Sequence, residues 1–445
     1  MGTYLSFDFK SRYQSSLQNC IYFFIILACF SLNLPIAWLS ISSGLIVALW
    51  ILKFDFISSF KTLKKNPAAL ITLALFFLYL FGLIFTKASW DLGLKFFMKY
   101  TKLLLIPIII SISPSDRVKT FGLKAFLGSS LIVLFFSYAQ FFNLLPNLDS
   151  YLPKDVYKFN PDEGYIVFKG YIAHNILMAF AMFMLICKAR FSAKSIFKTI
   201  WTVLAILAFL DIFYLVHSRT GQIISIFLIV FFLIHEFGFK FLSWMLLILV
   251  GILVFSHNLE IALPKRLIEI PQEIISHHPQ SAETSTSAGR RFEIYKNTFF
   301  LIKDSYGLGY GTGSFKEEYA KFVSHQDTFL SSPSNPHNQY LLTSLELGLF
   351  GLGLLLTMFY IHWHAADQLK NREHALLAKG LIMTITIGSL FNSLLLDATE
   401  GKFYCIFLGL ILSGYLNHKS FPYKNNSIFS IGLILKRFKA KYDIR

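Results

Sequence analysis

Residues 331–353, SSPSNPHNQYLLTSLELGLFGLG, pass from a polar segment into a long apolar run. Pro333 and Pro336 prevent a regular helix in the first part, whereas the run from His337 onward is long enough to enter a bilayer as a helix. The stretch predicts a wet loop that meets a membrane helix at a histidine. Such an imidazole suits proton transfer on a lipid-held substrate, although a polar start is also common for an interfacial helix.

The composition places this junction in a membrane protein. The chain has 445 residues, of which 55% are hydrophobic and 15% charged, and it contains 49 Phe. Repeated apolar runs of about 20 residues match the thickness of a bilayer core, so we predict an all-α polytopic membrane protein with about twelve transmembrane helices. The predicted spans lie near residues 19–34, 36–52, 68–86, 91–112, 121–143, 167–187, 197–216, 220–235, 239–256, 338–361, 377–396 and 402–417.

These spans divide the chain into four regions. We predict an N-terminal bundle of about nine helices at 1–256, a long, partly helical loop at 257–336, about three C-terminal helices at 337–417, and a basic tail at 418–445. The four cysteines lie in or beside predicted spans and show neither a disulfide framework nor zinc-ligand spacing. We therefore predict no metal site and no cofactor.

Basic residues concentrate in the segments on one side of the predicted spans. By the positive-inside rule that side is cytoplasmic and holds both termini. The net charge of +16 then reflects topology and contact with membrane lipids, and needs no nucleic acid. The residues concerned are Lys53, Lys61, Lys64, Lys65, Arg117, Lys119, Lys188, Arg190, Lys194, Lys198, Lys370, Arg372, Lys379 and those in 419–445.

The long loop lies on the opposite, outer face and has two recognisable parts. Residues 290–304 show a helical pattern, and residues 306–315, YGLGYGTGSF, form a glycine-rich turn. No strand precedes this turn, which argues against a nucleotide-binding loop. Glycine instead permits a close backbone approach, which we expect to be toward sugars.

Two groups of arginines lie on the outer face. Arg219 stands in the short loop HSRTG, where its guanidinium is placed either to hold a diphosphate or to reach the interface from the span. Arg290 and Arg291 open the helical pattern of the long loop, either as a solvated pair or as further ligands of an anion.

Charged residues also fall within predicted spans. Lys95, Lys99 and Lys102 recur at spacings of four and three, so one helix would carry them on one face. Such a row either lines a cavity that receives a phosphorylated ligand or, if the span is shorter, lies at the interface. The acidic candidates are Asp211 and Glu346 in predicted spans and the pair Asp397 and Glu400 in an outer turn, and each is better explained as a structural carboxylate.

Together these residues indicate group transfer from a lipid diphosphate. Cations stabilise a departing diphosphate, and a base takes the proton of an attacking hydroxyl. The outer face carries His337, at the start of a predicted span, and at least two arginines.

The order of these motifs resembles the O-antigen ligase and polymerase superfamily. The sequence SRTG (218–221) is followed by G-R-x-x-x-x-aromatic (289–295), G-x-G-x-x-x-F (309–315), PHN (336–338) and L-E-x-G-x-x-G (345–351). The similarity covers most of the chain and is strongest over 217–353. It extends to the number of spans, the placement of the long loop and both termini.

The resemblance implies a GT-C-type membrane glycosyltransferase with an undecaprenyl-diphosphate-linked glycan as donor. It implies catalytic roles for Arg219 and His337 and, because an aromatic residue follows four positions later, for Arg291, with Arg290 in reserve; Tyr295 replaces the commoner tryptophan. The predicted substrate-binding residues are Arg290, Lys95, Lys99, Lys102, Asn338, Glu346, Gly309 and Gly311.

The expected activity is that of an O-antigen ligase with a lipid A-core acceptor, inverting and metal-independent. It would act in lipopolysaccharide biosynthesis, in a bacterial inner membrane, with the site on the periplasmic face. Because no soluble domain follows the last predicted span, we favour the ligase over a polymerase or a protein O-oligosaccharyltransferase. A transporter would place its charges at mid-membrane within mirrored halves, which are not apparent.

Overall fold

The computed structural model describes residues 2–144, 157–160, 164–238, 287–324 and 333–415. The predicted span 239–256, residues 257–286 of the long loop and the tail 418–445 lie outside the described residues.

The described chain is mostly helical, as its apolar runs predict. The first half contains α1 (Gly2–Ser31), α2 (Ile36–Leu52), α3 (Phe56–Lys64), α4 (Pro67–Phe81), α5 (Trp90–Tyr100), a 3₁₀ turn (Thr101–Leu104), α6 (Leu105–Ile112) and α7 (Asp116–Phe141). After these come β1 (Tyr157–Asn160), β2 (Gly164–Val167), α8 (Tyr171–Phe191), α9 (Ser195–Leu210), a π-helical turn (Asp211–Leu215) and α10 (Arg219–Phe237). The remaining helices are α11 (Ser287–Asp304), α12 (Phe315–Val323), α13 (Gln339–Asp367), α14 (Arg372–Gly388) and α15 (Ala398–Leu412).

The protein is a multi-pass helical membrane protein. Within the described residues, 6 helices are long and apolar enough to cross a bilayer, or up to 7 if the bent pair α2 and α3 is one span. The prediction of twelve spans is not confirmed. The predicted span 91–112 is divided by the 3₁₀ turn, the predicted span 377–396 stops being helical after Gly388, and α15 has 15 residues.

A short β-hairpin qualifies the all-α prediction. Strands β1 and β2 pair antiparallel, with Tyr157 opposite Val167. Gly164 forms a further antiparallel bridge to Val216, directly before α10. Gly164 has φ +84°, and a Cβ there would lie 2.0 Å from the Leu215 carbonyl oxygen, so only glycine allows this approach.

Two of the predicted basic segments meet at one end of the helices. Glu236, near the end of α10, accepts hydrogen bonds at 2.7 Å from Arg190 of α8 and from Arg372 of α14. Because α10 and α14 run in opposite directions, the start of α10 and the end of α14 lie at the other end. We call that other end, where α13 also begins, the His337 end.

Helix α13 is broken at Gly348, which has φ 70° and ψ −172°. The break leaves the carbonyls of Leu345 and Glu346 without helical partners, and the backbone N–H groups of Tyr310 and Gly311 donate to them at 2.8 Å. In return, the Leu349 N–H donates to the Gly307 carbonyl at 2.8 Å. The glycine-rich turn therefore completes the hydrogen bonding of a broken membrane helix.

The same turn also contacts the connection between α4 and α5. The Thr312 N–H donates to the Gly82 carbonyl at 3.0 Å, and the Lys87 N–H donates to the Tyr310 carbonyl at 2.8 Å. The long loop is thus joined to two separate parts of the helical bundle.

Candidate functional site

His337 stands one residue before the N-cap of α13, in a backbone conformation that is unusual for it. Its φ of 51° lies in the left-handed region, where a residue other than glycine is strained. The Asn335 side-chain oxygen accepts from the His337 N–H at 2.9 Å, and the His337 carbonyl accepts from the Tyr295 hydroxyl at 2.9 Å. These contacts hold the backbone of a half-buried histidine in place.

Helix α11 brings Arg291 to this histidine. The Tyr295 hydroxyl lies 2.9 Å from the His337 carbonyl oxygen and 3.0 Å from that of Leu390, and its one proton is donated to one of them at a time. Arg291 lies one helical turn before Tyr295. Burial of the imidazole and the nearby positive charge of Arg291 both lower the pKa of His337.

The structure separates the two neighbouring arginines. Arg290 is exposed, whereas Arg291 is half-buried. The electrostatic effect on His337 comes from Arg291. The predicted preference for Arg291, based on its spacing to Tyr295, therefore agrees with where α11 places the two side chains.

Arg219 is the first residue of α10 and follows a rigid loop. The Asn175 side chain donates to the carbonyls of Ile212 and Val216 at 3.2 and 2.9 Å, which fixes the chain just before the arginine. A Cβ at Gly221 would lie 2.4 Å from that of Asn175, so the glycine of SRTG permits this close packing. The loop is thus a rigid support for a half-buried guanidinium.

Residues 389–397 connect the arginine loop with the histidine. The Asn392 amide donates to Thr220 Oγ1 at 3.2 Å, next to Arg219. The neighbouring Ser393 hydroxyl donates to the Asn335 side-chain oxygen at 3.0 Å, next to His337. Two adjacent residues of one segment therefore support the loops that carry the two predicted catalytic groups.

The sequence does not indicate residues 389–396 as a functional segment, because they fall within the predicted span 377–396. A signal was present, since Asn392 and Ser393 interrupt the otherwise apolar run LFNSLLL. Gln339 holds the segment against α13, because its side-chain oxygen accepts from the N–H groups of Leu395 and Leu396 at 3.0 and 3.2 Å.

The predicted row of three lysines is divided between two elements. Lys95 and Lys99 are exposed on α5, whereas Lys102 lies in the 3₁₀ turn and is buried. The Lys102 ammonium donates to the carbonyls of Leu396 and Asp397 at 2.8 and 2.5 Å. Lys102 therefore has structural partners.

Glu346 and the two predicted glycines also have structural contacts. Glu346 is fully buried, and its Oε1 accepts from the Gly313 N–H at 3.0 Å. A Cβ at Gly309 would lie 2.5 Å from Gly348 N, and one at Gly311 would lie 2.2 Å from Thr86 Cα. The close backbone approach predicted for these glycines is made to the protein itself.

Asn338 and Asp211 are likewise engaged within the fold. Asn338 caps α13, since its side-chain oxygen accepts from the N–H groups of Tyr340 and Leu341. Asp211 accepts from the Ser137 hydroxyl at 2.5 Å and contacts His174 Nε2 at 2.9 Å, with His174 and Asp211 side chains both fully buried. Within the described ranges, no three His, Cys, Asp or Glu side chains are grouped so that they could hold a metal ion.

The fold and site define a multi-pass membrane protein in which one histidine and two arginines are held at the same end of the helices. The family model described as O-antigen ligase matches residues 203–356, which include all three residues, and this match supports a protein of the O-antigen ligase family. Members of this family are glycosyltransferase-like ligases and polymerases that use lipid-linked glycans and lipid-anchored acceptors. No curated protein matches the chain.

Proposed function

We propose that the protein is an O-antigen ligase. It transfers a glycan from undecaprenyl diphosphate to a sugar of lipid A-core, as a GT-C-type enzyme of a bacterial inner membrane. The observation that carries the proposal is the contact of Tyr295 with the His337 carbonyl, which brings Arg291 of the long loop to the histidine at the start of α13.

His337 acts as the base. Because burial and Arg291 lower its pKa, the imidazole is neutral at neutral pH and is able to accept a proton. The acceptor hydroxyl gives its proton to the ring as its oxygen attacks the anomeric carbon. Attack from the face opposite the diphosphate inverts that carbon.

Arg219 and Arg291 bind the diphosphate. As the bond between the anomeric carbon and the diphosphate oxygen breaks, undecaprenyl diphosphate leaves with the electron pair. Two guanidinium groups offer paired N–H donors to this charge. We therefore propose a transfer that is independent of metal.

The orientation follows from the distribution of positive charge. Two of the basic segments meet at the end of the helices where Glu236 pairs with Arg190 and Arg372. The positive-inside rule supports the proposal that this end is cytoplasmic and that the His337 end faces the periplasm. We propose that both termini are cytoplasmic, as the charge of the sequence predicts.

The test is complementation of a host that lacks its own ligase. Wild type is expected to restore the long-chain lipopolysaccharide bands on a gel, and His337→Ala and Arg219→Ala to abolish them at equal protein abundance in the membrane. Arg290→Ala is the matched control, since Arg290 is exposed, and we expect its bands to be retained.

The outcomes separate the parts of the proposal. If wild type instead restores chain length only in a polymerase-deficient host, the acceptor is a lipid-linked repeat unit and the ligase assignment is wrong. Normal bands from both alanine variants would refute the proposed site.

A further inference from the structure

A cleft lies beside the site between α2, the junction of α5 with the 3₁₀ turn, and the start of α15. It has a volume of about 480 Å³. We call it the Lys99 cleft. Its lining residues include Ser40, Gly44, Lys99, Lys102, Asp397 and Lys402.

The cleft carries an excess of positive charge. Three of its lining residues are lysines and one, Asp397, is acidic. Lys402 donates to Ser40 Oγ at 2.9 Å, and Lys99 lies 4.5 Å from the centre of the Phe96 ring. Both partners are uncharged, and in the described part of the chain neither lysine forms an ion pair with a carboxylate.

The surface around the cleft is apolar. Ile41 is 60% exposed, Leu45 36% and Met98 58%. Such side chains on membrane helices face lipid tails. Ammonium groups beside hydrocarbon are costly unless an anion compensates their charge.

Lys102 gives the cleft a fixed wall. Its ammonium is held by the carbonyls of Leu396 and Asp397, and a Cβ at Gly401 would lie 2.6 Å from its side-chain carbon Cδ. Gly401 therefore leaves room for the lysine stem against α15. Because these carbonyls already hold the Lys102 ammonium, Lys99 and Lys402 are the lysines of the cleft that are able to contact a ligand.

We propose that the Lys99 cleft binds the phosphate group of a membrane lipid, with the lipid chain lying along the exposed apolar residues of α2. Lys99 and Lys402 contact the phosphate, and the hydroxyl of Ser40 is a further donor. The proposal is independent of the transfer reaction. The lipid is either a bulk anionic phospholipid or a polyprenyl phosphate carrier, which share this chemistry.

The test is native mass spectrometry of the full chain in micelles, titrated separately with phosphatidylglycerol, undecaprenyl phosphate and phosphatidylcholine. We expect the anionic lipids to bind more tightly than phosphatidylcholine. Lys99→Ala and Lys402→Ala should each raise the apparent Kd about fivefold, the usual contribution of one lysine near anionic lipid. Lys87→Ala is the matched control, because Lys87 is exposed shortly before the same helix and does not line the cleft.

A steric variant tests the same site without removing charge. A Cβ at Gly44 meets nothing within 4 Å, so Gly44→Leu fills the cleft without disturbing the packing of α2. It should abolish the binding, whereas Gly353→Leu, at an equally open position on α13, should not.

Each outcome decides the proposal. If Gly44→Leu abolishes the binding of phosphatidylglycerol, the ligand of the cleft is a phospholipid. If it abolishes the binding of undecaprenyl phosphate, the ligand is a polyprenyl phosphate. Binding that is unchanged in all three cleft variants, or equally tight for phosphatidylcholine, would overturn the proposal.

Discussion

At the scale of the residue, His337 combines strained backbone with several fixed contacts. Its φ of 51° persists because Asn335 and Tyr295 hold its N–H and its carbonyl. Strain that is maintained by its surroundings is common where a side chain must point in one direction. The proposed base is therefore positioned by the side chains of Asn335 and Tyr295.

Tyr295→Phe tests this positioning. The variant removes the hydroxyl that bonds the carbonyls of His337 and Leu390. A net hydrogen bond contributes about 1 kcal/mol, so we expect the transfer rate to fall about fivefold at unchanged membrane abundance. Tyr306→Phe is the control, since Tyr306 is 90% exposed. An unchanged rate for Tyr295→Phe would contradict a role of this hydroxyl.

Arg291→Gln tests the electrostatics of the base. Arg291 disfavours the protonated imidazole and lowers the pKa of His337. Without this charge the pKa rises, so protonation begins at a higher pH and the acidic limb of the activity profile shifts upward. We expect this shift when rates between about pH 5 and 8 are scaled to each variant's maximum. Arg290→Gln should leave the acidic limb of the activity profile unchanged. An equal shift in the Arg290→Gln profile would contradict a specific effect of Arg291 on the pKa of His337.

The three catalytic residues could be proposed from the sequence because each stands in a recognisable motif, and their roles remain predictions. The residues that hold them in position could not be predicted in this way. Thr220, Asn392 and Ser393 are ordinary polar residues, and their contacts join parts of the chain that are 172 and 58 residues apart. Such contacts arise from packing between helices, and the local periodicity of the sequence does not predict them.

At the scale of the element, the glycine-rich turn and the broken helix α13 form one structural unit. Gly311→Ala should destabilise it. The new Cβ would lie 2.2 Å from Thr86 Cα at a residue with φ +90°. We expect a loss of about 3 kcal/mol, measured as a lower apparent Tm in detergent. Gly353→Ala, which meets nothing within 4 Å, should leave the Tm unchanged or raised. A similar Tm for both variants would show that the turn does not support the helix.

Hydropathy located the helices of this protein better than it located their ends. The apolar run 91–112 contains a 3₁₀ turn in which Lys102 finds two carbonyl partners, and hydropathy cannot distinguish 3₁₀ from α geometry. The helical pattern predicted at 290–304 is confirmed as α11, because its alternation of buried and exposed residues is regular.

At the scale of the whole molecule, the proposed orientation is testable through cysteine chemistry. Cys29, Cys187 and Cys405 are buried, so Cys20→Ser gives a background with little thiol reactivity. In that background, Tyr306→Cys should react with a membrane-impermeant maleimide in intact spheroplasts. Ser195→Cys, which is exposed at the start of α9, should react only after lysis. The reverse pattern would invert the proposed topology.

The break at Gly348 also bears on how the protein is made. Synthesis proceeds from the N-terminus, so residues 307–311 leave the ribosome before residues 345–349, whose carbonyl and N–H groups they bind. The partner of the interrupted helix is therefore already synthesised when α13 enters the membrane. The backbone groups that this helix would otherwise carry unpaired into hydrocarbon therefore have a partner segment that exists before the helix itself.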